Sequence, residues 1–165
     1  MPEPFNILIL CTGNSARSIL AEAAFNRLGE GRVHAYSAGS RPTGQPNPFA
    51  IDLLRRKGID TAFARSKSWS EFALPDAPRM NIVVTVCDSA AAEDCPFWPG
   101  APISAHWGLP DPAAVTGTDA IKALAFARTW AALERRVGAF LALPVASLDA
   151  ISLRAQLKSI GDDRT

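Results

Sequence analysis

The strongest constraint on this chain lies at its N-terminus, where the mostly apolar run Phe5-Asn6-Ile7-Leu8-Ile9-Leu10 breaks abruptly at Cys11. The stretch that follows, Cys11-Thr12-Gly13-Asn14-Ser15-Ala16-Arg17, is small and polar. Ser18 to Leu28 then places Ile19, Leu20, Ala23 and Ala24 at helical spacing. A short apolar run without alternation is a strand covered on both faces, the pattern of a parallel sheet. The N-terminal segment is therefore a strand, loop and helix in succession, which commits the chain to an α/β fold.

The rest of the chain continues that alternation. Val33 to Ser37 reads as a second strand ended by Ala38-Gly39, and a Pro- and Gly-rich loop follows to Gln45. Asn47-Pro48 predicts a helix start, since Asn can cap free amides and Pro fits the first helical position, and Gly58 should stop that helix after about Lys57. Ser68-Trp69-Ser70-Glu71 has the capping-box spacing and predicts a short helix. Met80 to Val86, β-branched and apolar, is the clearest strand and delivers Cys87 at its C-terminal end. Asp88 to Pro102, with Cys95, is irregular, Ile103 to His106 reads as a short strand, and Asp119 to Leu141 as a long helix. Strands alternating with helices predict a three-layer sandwich, a short, mainly parallel sheet with helices on both faces and ligands at the C-terminal strand ends. Residues 1–142 are expected to form this domain, and 143–165 an extension whose Leu148, Ile151, Leu153, Leu157 and Ile160 predict a short packed helix.

Composition narrows the class. The chain has 165 residues, enough for one substantial core, with 48% apolar and 20% charged residues and a formal net charge of +1. Lys and Arg are scattered apart from Arg55-Arg56-Lys57, which reads as a helix end, so nucleic acid is not an expected partner. Met1 to Leu10 lacks the basic and long apolar regions of a signal peptide, and no segment approaches the roughly 20 apolar residues that span a bilayer. A soluble, cytoplasmic, monomeric protein is expected. Three cysteines make an odd set for a disulfide framework, and CxxC pairs are absent, so free thiols in a reducing compartment are the simpler reading.

Cys11 to Ser18 is C-x5-R-S between a strand and a helix. Five intervening residues can curl so that the amides of Thr12, Gly13, Asn14, Ser15, Ala16 and Arg17 converge on one point, and the helix N-terminus adds its positive end there. Arg17 can hold two oxygens of a tetrahedral anion in a fork. The same field should lower the pKa of Cys11 and make it a nucleophile, with the Ser18 hydroxyl donating to the thiolate. A lone Cys after an apolar run is more often a buried thiol, but the Arg-Ser at this spacing before a helix favours the chemical reading. Asn14 either takes a left-handed conformation in the loop or is an ordinary turn residue. His34, His106 and Trp107 read as packing or loop-shaping residues.

Cys11 to Ser18, Tyr36-Ser37-Ala38-Gly39, Val84-Thr85-Val86-Cys87 and His106-Trp107-Gly108-Leu109-Pro110-Asp111-Pro112 together resemble the arsenate reductases built on the low-molecular-weight tyrosine phosphatase fold. The likeness runs from about Phe5 to Leu141. It implies that Cys11 attacks arsenate, that Cys87 then attacks the Cys11 sulfur and releases arsenite, and that Cys95 finally takes Cys87 into a surface disulfide. Thioredoxin would be the external reductant, with no bound cofactor, and phosphate or sulfate could occupy the arsenate site. Asp111 matches the general acid of the fold's phosphatases, although Asp-Pro also favours a plain turn. Some of these reductases hold a potassium ion on ligands matching Asn14, Glu22, Ser37 and an acidic residue. The last position here is Lys67, whose ammonium would replace the ion and approach Asn14, Glu22 or Ser37, with no metal needed.

Other readings remain open on sequence grounds. A tyrosine phosphatase needs one cysteine, and its substrate-gripping aromatics after Asp-Pro are here Ala113-Ala114, with Tyr36 the only tyrosine. A reductase served by glutaredoxin would use a small thiol in place of Cys95. A non-enzymatic oxyanion-binding redox sensor would use the thiols only to report oxidation, and Cys87, Cys95 and His106 as a metal site would fall short of zinc's four ligands.

Overall fold

The computed structural model describes residues 4–87, 98 and 102–163. Four strands form one sheet: β1 (Phe5–Leu10), β2 (Val33–Ala38), β3 (Ile82–Thr85) and β4 (Ile103–His106), in the order β2-β1-β3-β4. Every pairing is parallel. The helices are α1 (Arg17–Leu28), α2 (Pro48–Arg56), α3 (Asp119–Leu141) and α4 (Ala150–Asp162). Ile7, Leu8, Ile9 and Leu10 each have 0% exposure. Neighbouring strand residues face opposite ways, so burial of all four requires cover on both faces of the sheet, the expected three-layer arrangement.

Local rules account for most element ends. Asn47 caps α2 by accepting from the Phe49 amide at 2.9 Å, Pro48 occupies the first helical position, and Gly58 beyond the helix has φ +74°. β3 is shorter than the Met80–Val86 run because Asn81 turns its side chain into the ladder: its Oδ1 accepts from the Asn6 amide at 2.8 Å. The Ser68-x-x-Glu71 box yields only a single 3₁₀ turn at Trp69–Phe72. Ser68 Oγ does accept from the Ser70 amide, but Glu71 is drawn away into a two-point pairing with Arg65 at 2.7 and 3.0 Å. With its carboxylate engaged there, the reciprocal half of the box is missing.

The core between α1, α3 and the sheet is aromatic. Phe25 stacks on Trp107 at 5.7 Å and meets Phe140 edge-on at 5.7 Å, while Phe49 stacks on Phe126 at 5.6 Å. Beyond Pro144, α4 buries Leu153, Leu157 and Ile160 and lies against β4. No helix among the described residues is long and apolar enough to cross a membrane.

Candidate active site

The order β2-β1-β3-β4 means that the chain leaves β1 for one side of the sheet and later returns to pair β3 on the other. Loops after β1 and β3 diverge there and open a crevice at their C-terminal ends. Parallel register sets Leu10 opposite Thr85, and the Val86 amide donates to Leu10 O at 3.0 Å. Cys11 and Cys87, the residues just past these strands, are thereby side by side although 76 positions apart in sequence.

The loop from Cys11 to Ala16 is curled with its carbonyls outward. Thr12 O accepts from the Arg41 amide, Gly13 O from the Thr43 amide and Ser66 Oγ, and Ser15 O from the Asn47 amide, all at 2.8 to 3.1 Å. Peptide bonds here are trans, so the amides that follow these carbonyls turn to the opposite, inner side. Asn14 supplies the bend with φ 46°, the one positive value at a non-glycine among the described residues. α1 begins directly after, and its N-cap Ala16 offers no side-chain cap, so the first-turn amides have no internal competitor for an anion. Gly39 lies against the outer wall of the loop. A Cβ at that position would sit 2.4 Å from Thr12 O and 2.5 Å from Cys11 O, so only glycine permits the approach.

Beneath the loop lies a buried polar network. Asn14 Nδ2 donates to Ser18 Oγ at 2.8 Å and to Ser37 Oγ at 3.0 Å, while Asn14 Oδ1 accepts from the Lys67 amide at 2.9 Å. Ser37 Oγ donates to Glu22 Oε1, and Lys67 Nζ lies 3.9 Å from the same oxygen and donates to Arg65 O at 3.1 Å. Burial pushes the Glu22 carboxyl up, opposed by Lys67 and the Ser37 hydroxyl. Burial likewise lowers the Lys67 ammonium, opposed by Glu22. The ammonium therefore stands beside Glu22, while it is the Lys67 backbone amide that reaches Asn14.

Arg17 and Asp111 meet across the mouth of the loop. Arg17 Nη1 donates to Leu109 O at 2.8 Å and its Nη2 lies 3.7 Å from Asp111 Oδ2. Asp111 Oδ1 meanwhile accepts from the Ala113 amide at 2.9 Å and opens a 3₁₀ turn at Pro112–Ala114. Asp111 is thus both a turn residue and a neighbour of the loop.

One expectation is reversed. The Cys11 thiol is pushed well above its ordinary range, because the Cys87 sulfur is hydrogen-bonded to it and burial disfavours the thiolate. Arg17 and the Gly13 amide act to lower it, as expected, but are outweighed. Both sulfurs are buried and unbridged, and Cys87 Sγ accepts from the Thr12 amide at 3.3 Å. Replacing Cys87 by Ala is therefore expected to move the pH midpoint of Cys11 alkylation downward, measured by iodoacetamide labelling and mass spectrometry. A midpoint that stays or rises contradicts this account.

Cys95 lies outside the described residues. His34 is exposed on β2, and His106 Nδ1 pairs with Thr85 Oγ1 at 2.7 Å. Among the described residues no group of three or more His, Cys, Asp or Glu could hold a metal ion. Sequence reasoning missed Ser66 and Leu109, which act through a hydroxyl and a carbonyl that carry no motif, and Arg136, whose Nη1 donates to Trp107 O at 3.0 Å.

Comparison with known proteins agrees with this geometry. The family model of the low molecular weight phosphotyrosine protein phosphatases matches residues 6–152. Relatives named arsenate reductase include one from Bacillus licheniformis, 38% identical over 136 residues (81% of this chain, 93% of the relative). Another, from Halalkalibacterium halodurans, is 36% identical over 134 residues with the same coverage. The crystal structure of arsenate reductase from Archaeoglobus fulgidus superposes with a TM-score of 0.59 at 26% identity, covering 80% of this chain and 98% of that one. The chain belongs to the low-molecular-weight phosphotyrosine protein phosphatase family.

Proposed function

We propose that this protein reduces arsenate to arsenite through a relay of three cysteines. The observation that carries the proposal is the second thiol: parallel register brings Cys87 beside the nucleophile Cys11, and Cys87 Sγ accepts from the Thr12 amide at the floor of the oxyanion loop. Phosphoryl transfer has no use for it, whereas a two-electron reduction requires two sulfurs. The relatives named arsenate reductase support the same substrate.

Arsenate is held by the inner amides of Thr12 to Arg17 and by the Arg17 guanidinium. Cys11 sulfur bonds to arsenic while its proton joins a departing arsenate hydroxyl as water; in this reading Asp111 relays the proton and Ser18 donates toward the sulfur. Cys87 next attacks the Cys11 sulfur. The S–As bond breaks with its electron pair staying on arsenic, the Cys87 proton passes to an arsenite oxygen, and a Cys11–Cys87 disulfide remains. Cys95 attacks Cys87 and frees Cys11, and an external dithiol, thioredoxin in this reading, reduces the Cys87–Cys95 bond.

The test is a disulfide map by mass spectrometry after one arsenate turnover. The expected products are a Cys87–Cys95 bond in the native chain and a Cys11–Cys87 bond in Cys95→Ser. Phosphatase turnover that persists when Cys87 and Cys95 are replaced, with no disulfide formed by arsenate, would sink the proposal.

Lys67 in this reading takes the place of a structural potassium ion. Activity and Tm are expected to be the same in potassium and sodium chloride at equal ionic strength, read by turnover and calorimetry. A rise specific to potassium contradicts it.

A further inference from the structure

We propose that α4 is a clamp that positions Asp111 and Arg17 by holding the segment Trp107–Leu109, a role that rests on the reading of Asp111 as the proton relay. The helix lies almost entirely past residue 152, where the family match ends. Its contact with the segment is built rather than incidental. Trp107 has 0% exposure, and its Nε1 donates to Leu157 O in α4 at 2.9 Å. A Cβ on Gly161 would stand 2.5 Å from His106 O and 2.7 Å from Trp107 Cδ1, so α4 reaches the end of β4 only because that residue is glycine.

From Trp107 the restraint passes directly to the site. Arg136 Nη1, on α3, donates to Trp107 O at 3.0 Å and Gly108 O at 3.2 Å, and Arg17 Nη1 donates to Leu109 O at 2.8 Å. Three consecutive carbonyls are thus held by two guanidinium groups. The Leu109 amide is tied to Val86 O at 3.1 Å. Pro110 and Pro112 flank Asp111 and restrict its backbone, so a displacement at Trp107 carries through to the carboxylate. The Phe25 ring holds the other side of the indole, stacked at 5.7 Å. α4 and α1 therefore grip one tryptophan between them, and that tryptophan begins the segment on which Arg17 and Asp111 meet.

The test uses Gly161→Ala, which forces α4 off His106, and Trp107→Phe, which removes the indole donor while keeping a ring in the core. Arsenate kcat is expected to fall about tenfold in each with KM for arsenate within about twofold, because proton relay is disturbed more than anion binding. Gly161→Ala combined with Asp111→Asn should be no slower than Asp111→Asn alone. A helix that merely stabilises the fold would give losses that multiply. Hydrogen exchange supplies a reading that does not depend on arsenate chemistry: the Leu109 amide should lose protection in both variants while the amides of Thr12 to Arg17 keep theirs. Multiplying losses, or unchanged Leu109 exchange, overturns the clamp. If the native chain turns over no arsenate, the reduction reading fails and the exchange result alone decides the clamp. If Gly161→Ala does not fold, Trp107→Phe decides it.

Discussion

Arsenate turnover is expected to fall by on the order of 10⁴-fold or more when Cys11 is replaced by Ser, because the only bond to arsenic is then lost. The geometry predicts more than loss of activity. Cys11 Sγ lies beneath amides whose carbonyls are anchored to Arg41, Thr43, Ser66 and Asn47, none of which depends on the sulfur. The loop should therefore survive the substitution, and Cys11→Ser should still bind phosphate, read by calorimetric titration against turnover of the same preparation. Parallel loss of phosphate binding and activity would mean that the sulfur holds the loop together and would undo the assignment of Cys11 as a nucleophile alone.

Replacing Lys67 by Ala is expected to cost about 3 to 5 kcal/mol of stability at neutral pH, the range for breaking a buried ion pair by removing one partner. Both side chains of the pair are under a tenth exposed, so water screens the remaining charge poorly. The pH dependence has a definite sign. Burial already raises the Glu22 carboxyl in the folded protein, and loss of Lys67, which opposes that rise, must raise it further. A group with a raised folded pKa contributes stability that is present below its unfolded value and lost as pH climbs through the folded one. The deficit of Lys67→Ala should therefore shrink as pH falls and Glu22 takes up a proton, and widen as pH rises. Chemical denaturation at several pH values measures it, and a deficit that grows on acidification would refute the argument.

Features decided within a few residues were readable from sequence. The apolar run Phe5–Leu10, the Asn47-Pro48 helix start and the stop at Gly58 each depend on neighbours along the chain, and the structure has each where it was expected, while Asn14 takes the left-handed one of the two readings left open for it. Asp111 could be placed opposite the loop only through family likeness, as local chemistry alone allowed a turn. Features decided by distant partners were misjudged. The helix anticipated at Ser68 shrank to one turn because Arg65 captures Glu71, and β3 starts late because the Asn81 side chain bonds Asn6. The Cys11 thiol was expected low from the loop, the helix end and Arg17, all local. It stands high because sheet register delivers a second sulfur from 76 residues away, and no pattern around Cys11 announces that neighbour.

The ammonium beside Glu22 has a consequence beyond local energetics. A cation recruited from the medium occupies its seat according to its concentration, and every change in the surrounding electrolyte is a change in occupancy. Lys67 is carried on the same backbone that donates to Asn14, so it cannot diffuse away and its local concentration is fixed by covalent attachment. In the proposed reading a side chain stands where a solute would, which would uncouple the shape of the anion cradle from the alkali-metal content of the surrounding fluid.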